Sequence, residues 1–190
     1  MLPMGRLANS DIGELIMLLK NGKELLIRKA EKKDSQKILD YLNVVEGESD
    51  NLLFGANGFT MTVEQEEQYI KQVNNSQTSA LFVGLIDSKI VCTGSVSTPT
   101  RERISHQCDV SIAVLKEFWG IGIGTCMMNE IINFVKHSGK LEIVHLGVRA
   151  DNKRAIALYK KMGFQEIGLY PKFFKINGAY YDEILMNLYI

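Results

Sequence analysis

The stretch FWGIGIGT, residues 118–125, decides the fold of this chain. Its glycines stand at alternate positions and lead directly into CMMNEIINFVKH, whose apolar residues have the spacing of an amphipathic helix. The preceding VSIAV, residues 110–114, is rich in β-branched residues and predicts a strand. A strand, a glycine loop and a helix in this order bring unpaired backbone N–H groups and the positive end of a helix to one point. Such a point suits phosphate oxygens.

The spacing of the loop excludes two common phosphate-binding motifs. A Walker loop has Lys and then Ser or Thr after its last glycine, whereas Gly124 is followed by Thr125 and Cys126. The dinucleotide fingerprint GxGxxG would need a glycine at Met127. A GxGxG loop alone is also compatible with a simple tight turn, because glycine tolerates positive φ angles.

A second segment, GVRADNKRAIALYKKMGF at residues 147–164, follows the predicted helix. Together the two segments resemble the GNAT superfamily of acyl-CoA-dependent N-acetyltransferases. The first motif of that family is a strand, then Arg/Gln-x-x-Gly-x-Gly/Ala, then a helix; the second is a strand, an Asn, a helix with AIALY and a closing Gly-Phe. The resemblance is close over residues 112–164. Trp119 departs from it, because Arg or Gln usually opens the first motif.

The resemblance implies acetyl-CoA as the co-substrate and assigns residues to its parts. The pyrophosphate would bind backbone amides of the loop, which comprises Gly120, Ile121, Gly122, Ile123, Gly124 and Thr125. The amide-bearing arm would lie along the backbone of Ile112, Ala113 and Val114, on a strand that the family splays from the next one. Asn152 would contact an amide of the arm, and Tyr159 would protonate the departing thiolate. The loop contacts in the family run largely through backbone, so we expect the ligand to bind despite Trp119.

The residues themselves allow other interpretations of these positions. Asn152 precedes a predicted helix, and Asn is a favoured N-cap. Tyr159 shares one helical face with Asn152 and Ile156, and a tyrosine on an apolar face is commonly part of the core. Ile112 and Val114 are also typical core residues, which is compatible with a ligand contact through their backbone.

The general base is left open by the sequence. Asp109, Glu46, Glu48 or a chain of water molecules could remove the proton of an amine. In a related branch that acetylates the N-termini of ribosomal proteins, a Glu directly precedes the Val-Arg of the second motif. Gly147 occupies that position here.

The charges are distributed unevenly along the chain. The formal net charge is zero, which argues against a nucleic acid partner. Residues 34–70 hold eight acids against one lysine, whereas residues 136–175 hold nine bases against three acids. Each segment could be a solvated face. The alternative is a basic side for the phosphates of CoA and an acidic side for a cationic amine.

Length and composition predict a globular domain. The chain has 190 residues, of which 46% are hydrophobic. We expect one domain over residues 16–190, preceded by an extension of uncertain order over residues 1–15. The apolar runs are too short to span a membrane, and the N-terminus lacks the apolar core of a secretory signal. Three cysteines without metal-binding spacing predict reduced thiols, no metal site and a cytoplasmic location.

The elements add up to an α+β fold. We predict a single domain with a mixed, mostly antiparallel twisted sheet and helices on both faces, as the resemblance also implies. The Asn21-Gly22 pair predicts a hairpin with a type I′ turn, and a Thr62–Gln65 capping box predicts the start of a helix. The predicted helices are 34–45, 62–73, 126–137 and 152–162, with an acidic loop at 46–57. The predicted strands are 80–86, 89–97, 109–114, 141–148, 164–176 and 179–188.

We therefore predict an N-acetyltransferase that moves the acetyl group of acetyl-CoA to a primary amine, with a cationic small molecule as the acceptor. One alternative is transfer to a protein N-terminus. The other is a domain that binds acyl-CoA as a sensor without turnover. Tyr159 favours the enzyme, whereas the unassigned base keeps the sensor open. The oligomeric state, a homodimer included, is left open.

Overall fold

The computed structural model describes residues 6–9, 14–53, 55, 58 and 60–190. The helices are α1 (Ser35–Glu48), α2 (Val63–Asn74), α3 (Ile123–Ser138) and α4 (Lys153–Lys161). The strands are β1 (Arg6–Asn9), β2 (Leu15–Leu18), β3 (Glu24–Lys29), β4 (Ala80–Ile86), β5 (Lys89–Ser97), β6 (Gln107–Val114), β7 (Ile143–Arg149), β8 (Gln165–Ile176) and β9 (Ala179–Tyr189).

Over the described residues these strands form one nine-stranded sheet, in the order β1-β2-β3-β4-β5-β6-β7-β9-β8. Every neighbouring pair is antiparallel except β6 and β7, which run parallel. The chain between β6 and β7 contains α3, because a parallel connection needs a crossover. The predicted mixed, mostly antiparallel sheet is confirmed.

Helices cover both faces of the sheet, as predicted. On one face Met127, Met128 and Ile131 of α3 are fully buried in a core cluster that also includes β5 and β7 residues. On the other face α1 and α2 bury apolar residues such as Ile38 and Ile70 against the opposite side of β4. All seven residues of β4 are buried, since both of its faces are covered.

Three short turns connect neighbouring strands of the sheet, and two of them have type I′ geometry. Asn177-Gly178 and Asp87-Ser88 have positive φ at both residues, which is the requirement of a type I′ turn. At Asn21-Gly22 only the glycine has positive φ, and the Leu19 amide bonds to the Lys23 carbonyl around a three-residue loop. The predicted type I′ turn is therefore wrong there. A three-residue loop needs one left-handed glycine rather than two left-handed residues.

Several element boundaries differ from the predicted ones. α1 continues to Glu48, so the first residues of the predicted acidic loop are helical. Parts of that loop, residues 54, 56 and 57, lie outside the described residues. In the predicted N-terminal extension, residues 6–9 pair with β2 as a strand, and residues 1–5 and 10–13 lie outside the described residues. The domain boundary at residue 16 stays a prediction.

A buried ion pair links β3 to α1. Arg28 donates to both carboxylate oxygens of Asp34, at 2.6 and 3.0 Å, and Asp34 also accepts the Glu31 amide at 2.8 Å. Burial acts to raise the pKa of Asp34, but these hydrogen bonds hold it below its usual value. The charge of Asp34 is thus compensated by Arg28, and Asp34 adds no net charge to an acidic surface.

The hydrogen bonding between β6 and β7 ends early, and this positions the site. The two strands pair only at residues 107–109 with residues 143–145. Beyond Asp109, β6 continues to Val114 with β5 as its partner on the other edge. The edge of β6 toward β7 therefore presents backbone groups that require other partners.

Candidate active site

A cavity of about 540 Å³ lies where β6 separates from β7, within the usual size range of ligand pockets. Five segments line it: the turn between β2 and β3, the end of α1 with the residues after it, the free half of β6, the glycine loop with the start of α3, and α4. The lining residues are Lys20, Val45, Ser49, Asn51, Leu52, Ile112, Ala113, Val114, Phe118, Trp119, Gly120, Gly122, Ile123, Gly124, Thr125, Asn152, Arg154, Ala155, Leu158 and Tyr159.

Two of the three glycines in the loop have a left-handed backbone. Gly120 and Gly122 have φ angles of 85° and 106°, and Gly122 is the N-cap of α3. The first intrahelical bond runs from the Cys126 amide to the Gly122 carbonyl. The amides of residues 123–125 precede it and have no intrahelical acceptor. They point the positive end of a 16-residue helix at the cavity.

Trp119 and Arg154 form a stacked pair beside this loop. The guanidinium carbon of Arg154 lies 5.1 Å from the centre of the Trp119 ring. A Cβ placed on Gly120 would lie 3.6 Å from an Nη atom of Arg154. The indole N–H of Trp119 donates to the Val114 carbonyl at 2.7 Å, which secures the loop to the end of β6. Trp119 stands where the family motif usually has Arg or Gln, and Arg154 of α4 supplies a cation beside it.

Asn152 is the N-cap of α4. Its side-chain oxygen accepts the Ala155 amide at 3.1 Å, so the capping interpretation is confirmed. Within the described residues its side-chain NH₂ makes no hydrogen bond, and Asn152 lines the cavity. The residue can cap the helix and still donate to a ligand.

Tyr159 also lines the cavity, and its ring packs at 5.8 Å from the ring of Phe164. In the described part of the chain its hydroxyl has no hydrogen-bond partner. Burial raises the pKa of the phenol to about 12, so the hydroxyl stays protonated at neutral pH. Ile156 packs against the core instead of lining the cavity. Of the three residues predicted to share one helical face, only Asn152 and Tyr159 line the cavity.

The family profile described as "Acetyltransferase (GNAT) family" matches residues 51–164, more than half of the chain. The chain belongs to this family. The matched residues include the free half of β6, the glycine loop, α3, β7 and α4, which together contain most of the cavity wall.

Curated relatives include N-acetyltransferases. The chain is 30% identical over 158 residues to an N-alpha-acetyltransferase from Sulfurisphaera tokodaii, an alignment that covers 78% of this chain and 84% of that protein. It is 36% identical over 69 residues to the N-alpha-acetyltransferase RimI from Mycobacterium tuberculosis, which covers 36% of this chain. The aligned part spans only 41% of the length of RimI.

Solved structures show the same fold. An acetyltransferase of the GNAT family from Streptococcus pneumoniae superposes with a TM-score of 0.86 at 30% identity, over 87% of this chain and 99% of that one. The YncA protein from Salmonella typhimurium, solved with acetyl-CoA, superposes with a TM-score of 0.76 at 17% identity, over 87% of this chain and 93% of that one. The second likeness concerns the fold alone.

The GNAT cavity brings together nearly all the residues that the sequence predicts for the cofactor. Ile121 differs, because its side chain packs against the core cluster of α3 and does not line the cavity. The cavity is also lined by residues that sequence reasoning did not assign to the site, among them Arg154, Phe118 and Leu158. Two features of the sequence point to Arg154. Trp119 stands where the first motif usually has Arg or Gln, and the helix of the second motif begins with the basic pair Lys153-Arg154.

The predicted candidates for the general base do not line this GNAT cavity. Glu48 accepts the backbone amide of Lys116 at 2.6 Å. Glu46 is 3% exposed, and neither of its carboxylate oxygens has a partner among the described residues. Asp109 is exposed on β6, within the part that still pairs with β7.

Arg149 of the second GNAT motif has a structural task. It donates to both carboxylate oxygens of Asp151, at 2.6 and 2.8 Å, and to the Asp50 carbonyl at 2.8 Å. Its guanidinium carbon also lies 4.6 Å from the centre of the Tyr181 ring. Arg149 therefore holds the chain after α1 beside β7 and β9.

Neither a metal-binding cluster nor a membrane-spanning helix is present in the described residues. No group of His, Cys, Asp and Glu side chains among them could hold a metal ion. No helix in the part of the chain covered by the structure is long and apolar enough to cross a membrane.

Proposed function

We propose that this chain is an N-acetyltransferase that transfers the acetyl group of acetyl-CoA to a primary amine. The observation that carries the proposal is the meeting of Tyr159 with the helix N-terminus of α3 in one cavity, at the gap between β6 and β7. At one end of acetyl-CoA the pyrophosphate needs a phosphate-binding site. At the other end the thioester needs a proton donor for its leaving thiolate.

The residues present fit the parts of acetyl-CoA. Amides of the glycine loop and the Arg154 guanidinium supply donors for the pyrophosphate. The free edge of β6 at Ile112 and Ala113 offers backbone hydrogen bonds to the amide-bearing arm, while the carbonyl of Val114 is already taken by Trp119. The amide nitrogen of Asn152 would add one donor to the arm. The thioester supplies the electrophilic carbonyl for attack by the amine.

Tyr159 would donate its hydroxyl proton to the thiolate as it leaves. With a phenol pKa of about 12, against a CoA-like thiol near ~8.5, the full proton transfer is uphill by about 5 kcal/mol. A donor that shares its proton in the transition state needs only part of this free energy. The raised pKa ensures that the donor is protonated throughout the neutral range.

For the acceptor we propose a cationic small molecule with a primary amine. Acids at the end of α1, such as Glu48 and Asp50, support this choice because their field favours a cation. A second candidate is the α-amine of a peptide or protein N-terminus, which the names of the relatives from Sulfurisphaera tokodaii and Mycobacterium tuberculosis favour. We place the reaction in the cytoplasm, since all three cysteines are free and buried thiols.

Tyr159→Phe tests the proposal. The variant keeps the ring packed on Phe164 and removes a hydroxyl that has no partner within the described residues, so it should fold like the parent. Turnover should fall by about 10²–10⁴, the usual effect of a positioned proton donor. The Kd of acetyl-CoA should change little, because the proton is needed only as the thiolate leaves. Thiol release with a panel of amines and peptides measures turnover, and calorimetry measures binding.

The panel also separates the alternatives. Equal turnover in parent and variant would remove Tyr159 from the mechanism. Binding of acetyl-CoA without turnover of any amine would favour the non-catalytic sensor. A preference for peptide N-termini over diamines would favour the second acceptor class.

A further inference from the structure

The space above Gly147 is occupied by a carboxylate from another strand. Gly147 pairs with Leu185 of β9, and Glu183 lies two residues along that strand on the same face of the sheet. A Cβ placed on Gly147 would lie 2.5 Å from the carboxyl carbon of Glu183. Gly147 is exposed, whereas Glu183 is only 7% exposed. The carboxylate thus covers a glycine at a point where the β7 backbone reaches solvent.

Neither Gly147 nor Glu183 lines the cavity itself; Gly147 lies beside it, where β7 no longer pairs with β6. The pairing of the two strands ends at His145, and Gly147 is two residues beyond it. Val144, Leu146 and Val148 point into the core cluster of α3, so Gly147 faces the side that bears α1. On that side Arg149 binds the carbonyl of Asp50, and the adjoining residues Ser49 and Asn51 line the cavity.

The charged neighbours leave the Glu183 carboxylate available. Arg149 is directly opposite in register, but its guanidinium binds Asp151 and the Asp50 carbonyl. Within the described part of the chain, Glu183 makes no hydrogen bond or ion pair. Burial raises its pKa, and the nearby His145 partly opposes this; His145 itself bonds to Asn187 at 2.7 Å.

We propose that Glu183 is the general base that removes the proton of the acceptor amine, in place of a carboxylate at position 147. The inference rests on the proposed transferase function and supplies the group that the sequence leaves unassigned. β9 delivers the carboxylate of Glu183 to the space beside the Gly147 backbone, and the missing side chain of the glycine leaves that space open.

The proton balance is complete with Glu183 and Tyr159. Glu183 takes one proton from the ammonium form of the acceptor, and the neutral nitrogen attacks the thioester carbonyl. The C–N bond forms and the C–S bond breaks, while the leaving thiolate takes the hydroxyl proton of Tyr159. The second proton of the nitrogen restores the phenol, and Glu183 releases its proton to solvent. A base is needed because an alkylamine holds its proton about 3.4 units above neutral pH.

Glu183→Gln is the central experiment, because it keeps the shape and removes the base. The kcat should fall at least a hundredfold, and the KM and Kd of acetyl-CoA should stay within about twofold. In the parent, kcat/KM for the amine should level off once Glu183 is ionised. In the variant it should keep rising with pH toward the pKa of the amine, because only the free amine can then react. The melting temperature should not fall, because the variant removes a buried carboxylate whose raised pKa makes its ionised form costly.

Exchanging the two side chains gives a sharper test. In the double variant Glu183→Gly with Gly147→Glu, the carboxylate returns to nearly the same place from β7. This variant should turn over at least tenfold faster than Glu183→Gly alone. Asp182→Asn is the matched control: Asp182 precedes Glu183 and points to the opposite face, where it accepts the Lys172 amide. It should behave like the parent.

Three results would overturn the inference. A Glu183→Gln variant with the kcat and pH profile of the parent would show that Glu183 is not the base. Loss of acetyl-CoA binding or a lower melting temperature in that variant would show a structural role instead. A parent chain that turns over no amine would contradict the transferase function itself, and the parent alone distinguishes this outcome from the first two.

Discussion

The guanidinium of Arg154 lies between the Trp119 ring and the glycine loop, at a position where a phosphate oxygen would meet both a cation and helix amides. Stacking on an indole restricts the side chain before any ligand arrives. Binding of a ligand then costs less conformational entropy, because the side chain of Arg154 is already ordered.

Arg154→Ala should therefore raise the Kd of acetyl-CoA about tenfold at low salt, and the difference should shrink at high salt as exposed charges are screened. Lys153→Ala is the control, because it removes the same charge from the neighbouring position and does not line the cavity. Titration calorimetry at two salt concentrations measures both. Equal losses in the two variants would mean that only overall charge matters.

Single residues also show where sequence reasoning ends. Asn152 and Tyr159 follow from the resemblance of one local motif to the family, and both line the cavity. Glu183 does not follow from any local pattern, because 36 positions separate it from Gly147 and only the β7–β9 register brings them together. From the sequence alone, Gly147 shows only that position 147 carries no carboxylate. The pairing of β7 with β9 is needed to see that Glu183 lies beside it.

Helix α3 begins and ends at glycines with left-handed backbone, Gly122 at 106° and Gly139 at 62°. The two ends differ in their surroundings. Gly122 lines the cavity, whereas a Cβ on Gly139 would meet no atom within 4 Å. They form a matched pair for separating backbone strain from ligand binding.

Gly122→Asp and Gly139→Asp should both lower the free energy of unfolding, because an aspartate in a left-handed conformation is strained. Acetyl-CoA at 100 times its Kd should stabilise the parent and Gly139→Asp by about 2.7 kcal/mol. Gly122→Asp should show no such gain, since its carboxylate repels phosphate. Thermal melts with and without acetyl-CoA measure this. A full ligand shift in Gly122→Asp would contradict phosphate binding at this loop, as would a larger shift with NAD or ATP.

Elements bounded by strong turn residues were predictable nearly to the residue. β4 ends and β5 begins at the Asp87-Ser88 turn, and β8 ends and β9 begins at the Asn177-Gly178 turn. The chemistry of these pairs fixes both the turn and the register beside it. The end of α1 was not predictable, because residues 46–48 lack a helical apolar pattern. Tertiary contacts bury Glu46 and bind Glu48 to the Lys116 amide, and these override local preference.

On the scale of the whole molecule, the Arg28–Asp34 pair joins the sheet to the layer of α1 and α2. The side chains are 11% and 3% exposed, so removal of one partner leaves a buried charge. The fold class itself was predictable from the order of elements and the family motifs. The burial of this pair was not, because an acid at the start of a predicted helix is normally solvated.

Asp34→Asn should lower the free energy of unfolding by about 3–5 kcal/mol at neutral pH, as measured by urea denaturation. The folded-state pKa of Asp34 is lowered, so its contribution is present above the ordinary carboxyl pKa and is lost as the pH falls through the folded value. The difference between parent and variant should therefore narrow in acid. Glu117→Gln, which breaks the exposed Lys89–Glu117 pair, should cost under about 1 kcal/mol. Equal losses in the two variants would contradict a special role for the buried pair.

The early end of the β6–β7 pairing has a mechanical consequence. Strands β1 to β6 join strands β7, β9 and β8 through three register pairs at 107–109 and 143–145. Next to these pairs, the His106 carbonyl accepts the amides of Glu142 and Ile143. Such a short stretch of pairing between β6 and β7 resists bending of the sheet less than pairing along the full strands would. A ligand arm hydrogen-bonded to both β6 and β7 would restrict the bending of one part of the sheet against the other. Binding at the site would therefore make the sheet more rigid.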